Sequence, residues 1–119
     1  MKINVVVIGS GKMAEAYVDV IQSFKNFNIL GVYSRNKKNL EVFCKKKKVN
    51  LINSYKEINE NKKNIHLLII AVTAPNLLKV INITKSLNCV RLLEKPLGIS
   101  LIQAEKINKI TKNKKYFLA

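Results

Sequence analysis

The amino-acid sequence predicts an α/β fold, a doubly wound parallel sheet of six strands in the order 3-2-1-4-5-6. Short runs rich in Val, Ile and Leu, typical of strands buried on both faces, alternate along the chain with segments of helical periodicity. This alternation indicates parallel strands joined by right-handed helical crossovers. The predicted strands are Lys2–Ile8, Asn28–Tyr33, Val49–Ile52, Ile65–Val72, Cys89–Leu93 and Lys115–Leu118.

The five segments between these strands carry helix signals. Ser54–Glu57 and Ser100–Gln103 have the spacing of a capping box, and Pro75 suits the first turn of a helix. The Lys45–Lys48 run predicts the end of the second helix, because cations are favourable at the negative end of the helix dipole. The apolar stripes expected on three helices are Met13, Tyr17, Val20, Ile21 and Phe24; Leu40, Phe43 and Cys44; and Leu77, Ile81 and Thr84.

Length and charge limit the classes of function. The 119 residues have the size of one domain, 1–119, and no linker or repeat divides them. The formal net charge is +15, but only Arg35 and Arg91 are arginines and the other basic residues are lysines. Proteins that bind nucleic acids favour clustered Arg and aromatic side chains, so we expect no nucleic-acid partner. The charge still attracts polyanionic ligands, including a phosphorylated cofactor.

Membrane and metal sites are not expected either. The longest apolar run, Leu67–Val72, is too short to span a bilayer, and the polar residues of Gly9–Lys12 interrupt any signal peptide. Cys44 and Cys89 have no metal-ligand spacing and are expected to be reduced thiols of a cytoplasmic protein. The single histidine, His66, is expected to be a structural or surface residue at the start of the fourth predicted strand, at the edge of the sheet opposite the carboxyl ends of the strands.

The segment Gly9–Ala14 (GSGKMA) follows the first predicted strand directly and begins a helix, the context that gives the G-x-G-x-x-G/A pattern its meaning. Gly9 permits the tight turn, Gly11 lets backbone N–H groups approach a diphosphate, and Ala14 lets the helix lie close to the strand. The N-terminus of this helix adds N–H donors and partial positive charge. The segment predicts a dinucleotide site with the residues Gly9, Ser10, Gly11, Lys12 and Met13.

The end of the second predicted strand indicates which dinucleotide binds. NAD-selective sites place an acid there for the ribose 2′-hydroxyl, but this position reads Tyr33–Lys38 (YSRNKK). Ser34 and Arg35 supply a hydroxyl and a guanidinium that suit a 2′-phosphate. Lys38 lies at a helix N-terminus, where a cation is unfavourable without a nearby anion. NADP(H) is therefore the predicted cofactor, with weaker binding of NAD(H).

Glu94-Lys95-Pro96 ends the fifth predicted strand at the same edge of the sheet. Pro96 excludes the helical conformation at Lys95. Glu94 could accept from a ribose hydroxyl, and Lys95 could place an ammonium near a reacting carbonyl. With the glycine loop, GVYSR after the second strand and AVTAPN after the fourth, this turn makes the whole chain resemble the N-terminal NAD(P)-binding domain of the Gfo/Idh/MocA (glucose–fructose oxidoreductase / inositol dehydrogenase) family.

The resemblance implies a Rossmann domain in which Glu94 contacts the cofactor ribose and Lys95 is the catalytic residue at the nicotinamide. It also implies that Thr73, Pro75 and Asn76 line the cofactor cleft. The chain departs from the family at Lys79, where a histidine is usual, and its 119 residues are expected to comprise the first domain without the family's second domain. The run IGSGKMAEA also resembles the start of pyrroline-5-carboxylate reductases, which lack the Glu-Lys-Pro turn.

Two functions follow as expectations. The first is the cofactor-binding domain of an NADP(H)-dependent oxidoreductase that acts on a sugar-like polyol or carbonyl and has little activity without a covering domain. The alternative is a truncated, non-catalytic module that binds the dinucleotide or a partner. In that case the apolar edge at Tyr116–Leu118 would favour a homo-oligomer or a separately encoded second domain.

Overall fold

The computed structural model describes residues 2–95 and 100–112 and the backbone of 116–118. Within them, five strands form one parallel sheet in the order β2-β1-β3-β4-β5. The strands are β1 (Ile3–Ile8), β2 (Phe27–Tyr33), β3 (Leu67–Ile70), β4 (Val90–Leu93) and β5 (Tyr116–Leu118). The helices are α1 (Lys12–Gln22), α2 (Lys37–Lys47), α3 (Tyr55–Glu60), α4 (Ala74–Thr84) and α5 (Leu101–Thr111), with a 3₁₀ turn at Lys62–Asn64.

The predicted parallel α/β fold is confirmed, but the prediction of six strands is wrong for the described residues. The expected third strand, Val49–Ile52, contributes only a single parallel bridge between Leu51 and Val32 of β2. Two hydrogen bonds form this bridge: the N–H of Val32 donates to the carbonyl of Asn50, and the N–H of Ile52 donates to the carbonyl of Val32, both at 2.9 Å. The remaining strands keep the predicted order. The predicted turn at Pro96, the residue Lys115 and the apolar side chains at 116–118 lie outside what the structure describes.

Both faces of the sheet are covered, as a doubly wound fold requires. Alternate residues of β1 point to opposite sides: Val5 and Val7 pack with α1 and α2, whereas Val6 and Ile8 pack with the helices that follow the switch to β3. These side chains are at most 1% exposed. The strands therefore read as continuous apolar runs because each residue enters one of two cores.

The predicted starts and ends of helices are confirmed. The Ser54 hydroxyl accepts from the backbone N–H of Glu57 at 3.3 Å, and Ser100 begins α5 in the same way. Pro75 lies in the first turn of α4. Helix α2 ends in the lysine run, where Lys48 adopts a left-handed conformation with φ of 57°.

The predicted core face of α1 is correct at Ile21 and wrong at Met13, Val20 and Phe24, whereas Tyr17 is partly buried against the core. The residues that enter the core are Ala14, Val18 and Ile21, whereas Met13, Val20 and Phe24 are 47%, 55% and 54% exposed. The predicted stripes of α2 and α4 are buried. In α1 the small Ala14 side chain, which is fully buried, lets that side of the helix lie closest to the sheet.

Ion pairs join α1 to α2. Glu15 binds Lys46 and Lys47 of α2 at 3.1 Å, and Asp19 binds Lys47 at 2.8 Å. The Lys47 ammonium, followed by that of Lys46, holds the pKa of Glu15 below its usual value. With one side on the sheet and one on α2, the third side of the helix is left partly open. We call this third side, together with Phe24 just beyond the last turn, the outer flank of α1; it consists of Met13, Tyr17, Val20 and Phe24.

A buried arginine holds the turn between α4 and β4. Arg91, in β4, is 1% exposed, and its guanidinium donates to three backbone carbonyls. The acceptors are the carbonyls of Thr84 and Leu87 and, at 3.0 Å, that of Cys89. The carbonyl of Thr84 lies at the C-terminus of α4, where a cation is favourable. Nothing in the sequence pattern predicted this role.

Within the described residues, no helix combines the length and the apolar character needed to cross a bilayer.

Candidate functional site

The loops that follow four strands meet at one edge of the sheet. The N–H of Gly9, after β1, donates to the carbonyl of Tyr33 at the end of β2 (2.7 Å). The N–H of Ala71, after β3, donates to Ile8 (2.8 Å), and that of Glu94, after β4, donates to Ile70 (3.2 Å). Ligands of doubly wound sheets bind at this carboxyl edge, where the order of strands switches between β1 and β3.

A cavity of about 340 Å³ opens at this switch point. It brings together seven of the predicted site residues: Gly9, Ser10, Gly11, Ser34, Arg35, Thr73 and Asn76. Six predicted site residues are not among those that line it: Lys12, Met13, Lys38, Pro75, Glu94 and Lys95. The polar or aromatic lining residues that the sequence analysis did not assign to the site are Tyr33, Asn36, Asn39, Tyr55 and Lys79.

The two glycines of the first turn have different structural roles. Gly9 has φ of +129°, and a Cβ built there would lie 2.2 Å from the carbonyl oxygen of Ala71. Gly11 has φ of −91°, which any residue adopts, and a Cβ there would meet nothing within 4 Å. Gly9 therefore serves the packing of the loops, whereas Gly11 leaves open space in front of the helix N-terminus.

That N-terminus is not closed by a side chain. Gly11 is the N-cap of α1, and it has no side chain to accept from the first N–H groups of the helix. By contrast, the Asn36 side chain caps α2 by accepting from the N–H of Asn39 at 3.1 Å. The start of α1 thus keeps donors and partial positive charge directed toward the open space beside Gly11.

Side-chain hydrogen bonds connect the three loops around the cavity. The hydroxyls of Ser10 and Ser34 are 2.8 Å apart, which joins the glycine turn to the end of β2. Arg35 donates through Nη1 to Oδ1 of Asn76 at 3.2 Å. Asn76 in turn donates to the Thr73 hydroxyl at 2.7 Å. Ser34, Arg35, Thr73 and Asn76, predicted from separate segments, therefore lie in one connected group.

A pair of tyrosines forms the apolar side of the cavity. The rings of Tyr33 and Tyr55 have centroids 4.6 Å apart and are tilted by 54°. Burial, reinforced by Tyr33, raises the pKa of Tyr55 to about 12, so its hydroxyl is neutral at physiological pH. Tyr55 begins α3, and sequence reasoning missed it because only the three-dimensional fold brings α3 to this edge.

Glu94 and Lys95 lie beside the cavity, at the end of β4. The hydroxyl of Tyr17 donates to Oε2 of Glu94 at 2.6 Å, and Glu94 is half-buried. The side chain of Lys95 is exposed. Lys12 and Met13 begin α1, Lys38 belongs to the first turn of α2, and Pro75 to that of α4, so these four lie near the same edge without lining the cavity.

The opposite edge of the sheet has no part in this site. A wider groove of about 930 Å³ lies there, lined by His66, Lys62 and Lys63 among others. Nδ1 of His66 accepts from the backbone N–H of Asn4 at 2.9 Å, which confirms the predicted structural role and position of this histidine.

In the described part of the chain, no three His, Cys, Asp or Glu side chains are grouped to hold a metal ion. Cys44 and Cys89 are free thiols, and burial raises the pKa of each.

A doubly wound sheet with an uncapped glycine turn at its switch point defines a dinucleotide-binding Rossmann domain. The comparison with protein families gives the particular family. The model of the Gfo/Idh/MocA oxidoreductase family, NAD-binding Rossmann fold, matches residues 3–119. The chain therefore belongs to this family and constitutes its NAD(P)-binding domain, as the sequence resemblance predicted.

Solved structures show the same fold. A protein from Desulfitobacterium hafniense assigned as an NADPH-dependent oxidoreductase is 22% identical with a TM-score of 0.87, over 99% of this chain and 35% of that one. Scyllo-inositol dehydrogenase from Lactobacillus casei, solved with NAD(H) and scyllo-inositol, is 16% identical with a TM-score of 0.81; the match covers 100% of this chain and 36% of the dehydrogenase. Biliverdin reductase from Synechocystis, solved with biliverdin and NADP⁺, is 18% identical with a TM-score of 0.79; the match covers 98% of this chain and 36% of the reductase.

The chain spans about a third of the length of these solved structures. A search of curated protein sequences found no match.

Proposed function

We propose that residues 1–119 form the cofactor-binding domain of an oxidoreductase that prefers NADP(H) and acts on a sugar-like polyol or carbonyl compound. The observation that carries this proposal is the cavity between the glycine turn and Arg35, because none of the residues that line it is acidic. An acid at the end of β2 is the usual partner of the NAD ribose, and its place is taken by Ser34 and Arg35.

The glycine turn fits the diphosphate of the cofactor. The space that a side chain at Gly11 would enter is open, and the first N–H groups of α1 have no side-chain cap. A diphosphate at this position would accept from these N–H groups and interact with the positive end of the helix dipole. Ser10, Lys12 and Met13 complete the turn that holds it.

The 2′-phosphate would bind at the end of β2. Arg35 uses Nη1 to contact Asn76, and a guanidinium has five N–H donors, so donors remain for a phosphate while that contact persists. The Ser34 hydroxyl, 2.8 Å from that of Ser10, links this phosphate to the diphosphate turn. Lys38, in the first turn of α2, adds a charge nearby. NAD(H) would bind the same cavity more weakly because it lacks this phosphate.

The nicotinamide end would lie toward β4. Thr73, Pro75 and Asn76 would flank the cleft, Glu94 would accept from a ribose hydroxyl, and Lys95 would approach the reacting oxygen of the substrate. The bound cofactor supplies hydride transfer to or from a carbon atom of the substrate. The ammonium of Lys95 would stabilise the negative charge that develops on that oxygen.

Titration of NADPH and NADH into the wild type and Arg35→Ala tests the proposal. In the wild type we expect NADPH to bind at least about tenfold more tightly than NADH, because a guanidinium contributes charge-assisted hydrogen bonds to a phosphate. Arg35→Ala should lose that difference and retain the affinity for NADH. Lys62→Ala is the matched control, because it removes one charge at the opposite edge of the sheet and should preserve the difference.

The outcomes separate the two parts of the proposal. Equal wild-type affinities for NADPH and NADH would overturn the preference for NADP(H) but leave the dinucleotide site intact. If neither cofactor binds at millimolar concentration, the dinucleotide site itself is wrong. An equal loss in Lys62→Ala would mean that only overall charge attracts the cofactor.

The exposure of Lys95 favours the alternative function, a module that binds the dinucleotide without turnover. Lys95 is exposed in the described part of the chain, and charge stabilisation in the transition state is effective where water is excluded. We expect the 119-residue chain to bind NADPH but to oxidise polyols or reduce sugars less than about a hundredth as fast as a typical enzyme. Turnover followed at 340 nm checks this. Turnover at an ordinary enzymatic rate, lost in Lys95→Ala, would contradict the alternative and support the catalytic role of Lys95.

A further inference from the structure

Tyr17 of α1 makes a contact with Glu94 of the candidate site that sequence reasoning missed. Its hydroxyl donates to Oε2 of Glu94 at 2.6 Å, across 77 positions of sequence. Met13, Val20 and Phe24, which share the outer flank of α1, are about half-exposed, whereas Tyr17 and Glu94 are more protected from water. The distance is typical of a strong hydrogen bond from a hydroxyl to a carboxylate.

Hydrogen bonds hold both the backbone and the side chain of Glu94. Its backbone N–H donates to the carbonyl of Ile70 in β3, and its side chain accepts from Tyr17. A carboxylate has two oxygens, so a hydrogen bond to Oε2 leaves it able to accept another through Oε1. Burial and the neighbouring Glu94 raise the pKa of Tyr17 to about 12, so the phenol remains a donor at every pH at which the domain would work.

Helix α1 connects this carboxylate to the glycine turn. Tyr17 lies six residues after Gly11, which corresponds to about 9 Å along the helix axis. The helix that begins at the proposed diphosphate site thus also holds the side chain proposed for the ribose on the nicotinamide side. Through Tyr17, one rigid element sets the distance between two sites on the same cofactor.

We infer that Tyr17 is a positioning residue, which orients the Glu94 carboxylate toward a hydroxyl of the ribose on the nicotinamide side. This inference rests on the proposed function, because it assigns Glu94 to the cofactor. A role in folding alone would affect binding of the whole cofactor, whereas the inferred role affects only the nicotinamide end. The adenosine end, at Ser34 and Arg35, follows β2, and the strands β1 and β3 lie between β2 and β4, which Glu94 follows.

Binding of NADPH and of adenosine 2′,5′-bisphosphate tests the inference. This fragment carries the 2′-phosphate but no nicotinamide ribose. In Tyr17→Phe, which keeps the ring but loses the hydroxyl, we expect the Kd of NADPH to rise about tenfold and that of the fragment to stay within about twofold. Glu94→Gln should give the same pattern. The double variant should bind NADPH no more weakly than the weaker single variant, since the two side chains act as one unit.

Phe24→Leu is the matched control, because it alters the outer flank of α1 without touching Glu94. It should leave both affinities unchanged. Unchanged NADPH binding in Tyr17→Phe would overturn the inference, as would equal weakening of NADPH and the fragment, which marks a general disturbance of the fold. Additive losses in the double variant would also overturn it. If the wild type binds the fragment but not NADPH, the ribose assignment of Glu94 fails; if it binds neither, the proposed function fails as well.

Discussion

Gly11→Ala should lower the affinity for the dinucleotide by about a hundredfold or more, while the free energy of unfolding stays the same or rises slightly. The added methyl group would meet no protein atom within 4 Å, and φ of −91° is ordinary for alanine. Removing a glycine from a compatible position stabilises a protein by about 0.4–1 kcal/mol through the unfolded state. The methyl group would nevertheless occupy the space through which a diphosphate approaches the N–H groups of α1.

Fluorescence titration with NADPH and urea denaturation of the same variant would measure both effects. Gly9→Ala is the contrasting variant. There φ is +129° and the added Cβ would lie 2.2 Å from the carbonyl oxygen of Ala71. We expect Gly9→Ala to lower the free energy of unfolding by about 3 kcal/mol or more, since strain and a backbone clash act together. Wild-type affinity in Gly11→Ala would disprove the diphosphate site at this turn.

Arg91→Met should be among the most destabilising substitutions in the chain. Methionine fills much of the same volume, but the carbonyls of Thr84, Leu87 and Cys89 would lose a buried cationic donor. A buried acceptor left without a hydrogen bond costs about 1–3 kcal/mol, so we expect the free energy of unfolding to fall by about 3–5 kcal/mol. That is a large share of the roughly 5–15 kcal/mol by which domains are stable.

Chemical denaturation of the wild type, Arg91→Met and Arg91→Lys would measure this effect. Arg91→Lys keeps the charge but replaces the branched guanidinium by one ammonium, so it should recover only part of the loss. A loss below about 1 kcal/mol in Arg91→Met would mean that water satisfies the three carbonyls after the substitution.

The features that the sequence predicted correctly are local in the chain. Alternating apolar runs, capping serines and the glycine turn each depend on neighbours within a few residues, and these signals placed five of the strands and the cavity. The error at Val49–Ile52 has a physical cause. Its composition suits a strand, but composition does not determine how many of its residues pair with a neighbour, and here Leu51 alone forms a bridge, to Val32 at the edge strand β2.

The error in α1 and the missed residues come from long-range contacts. An apolar row at helical spacing does not reveal which side of a helix meets the sheet; here the buried side is that of Ala14, and Glu15 and Asp19 face the lysines of α2. The contact of Tyr17 with Glu94 joins residues far apart in sequence. The position of Tyr55 depends likewise on how α3 packs, so no spacing pattern could have assigned either tyrosine to the site.

Contacts on three sides of α1 constrain the number of residues in this helix. One side meets the sheet, another the lysines of α2, and the third holds the carboxylate after β4. Each residue of an α-helix turns the next by about 100°, so a single inserted or deleted residue between Gly11 and Tyr17 would rotate everything beyond it by that angle. A deletion would place Asp19 at the core position of Val18 and Val20 opposite the lysines, whereas an insertion would place Tyr17 at that core position and Val18 opposite the lysines. This segment should therefore tolerate exchange of side chains far better than any change in their number.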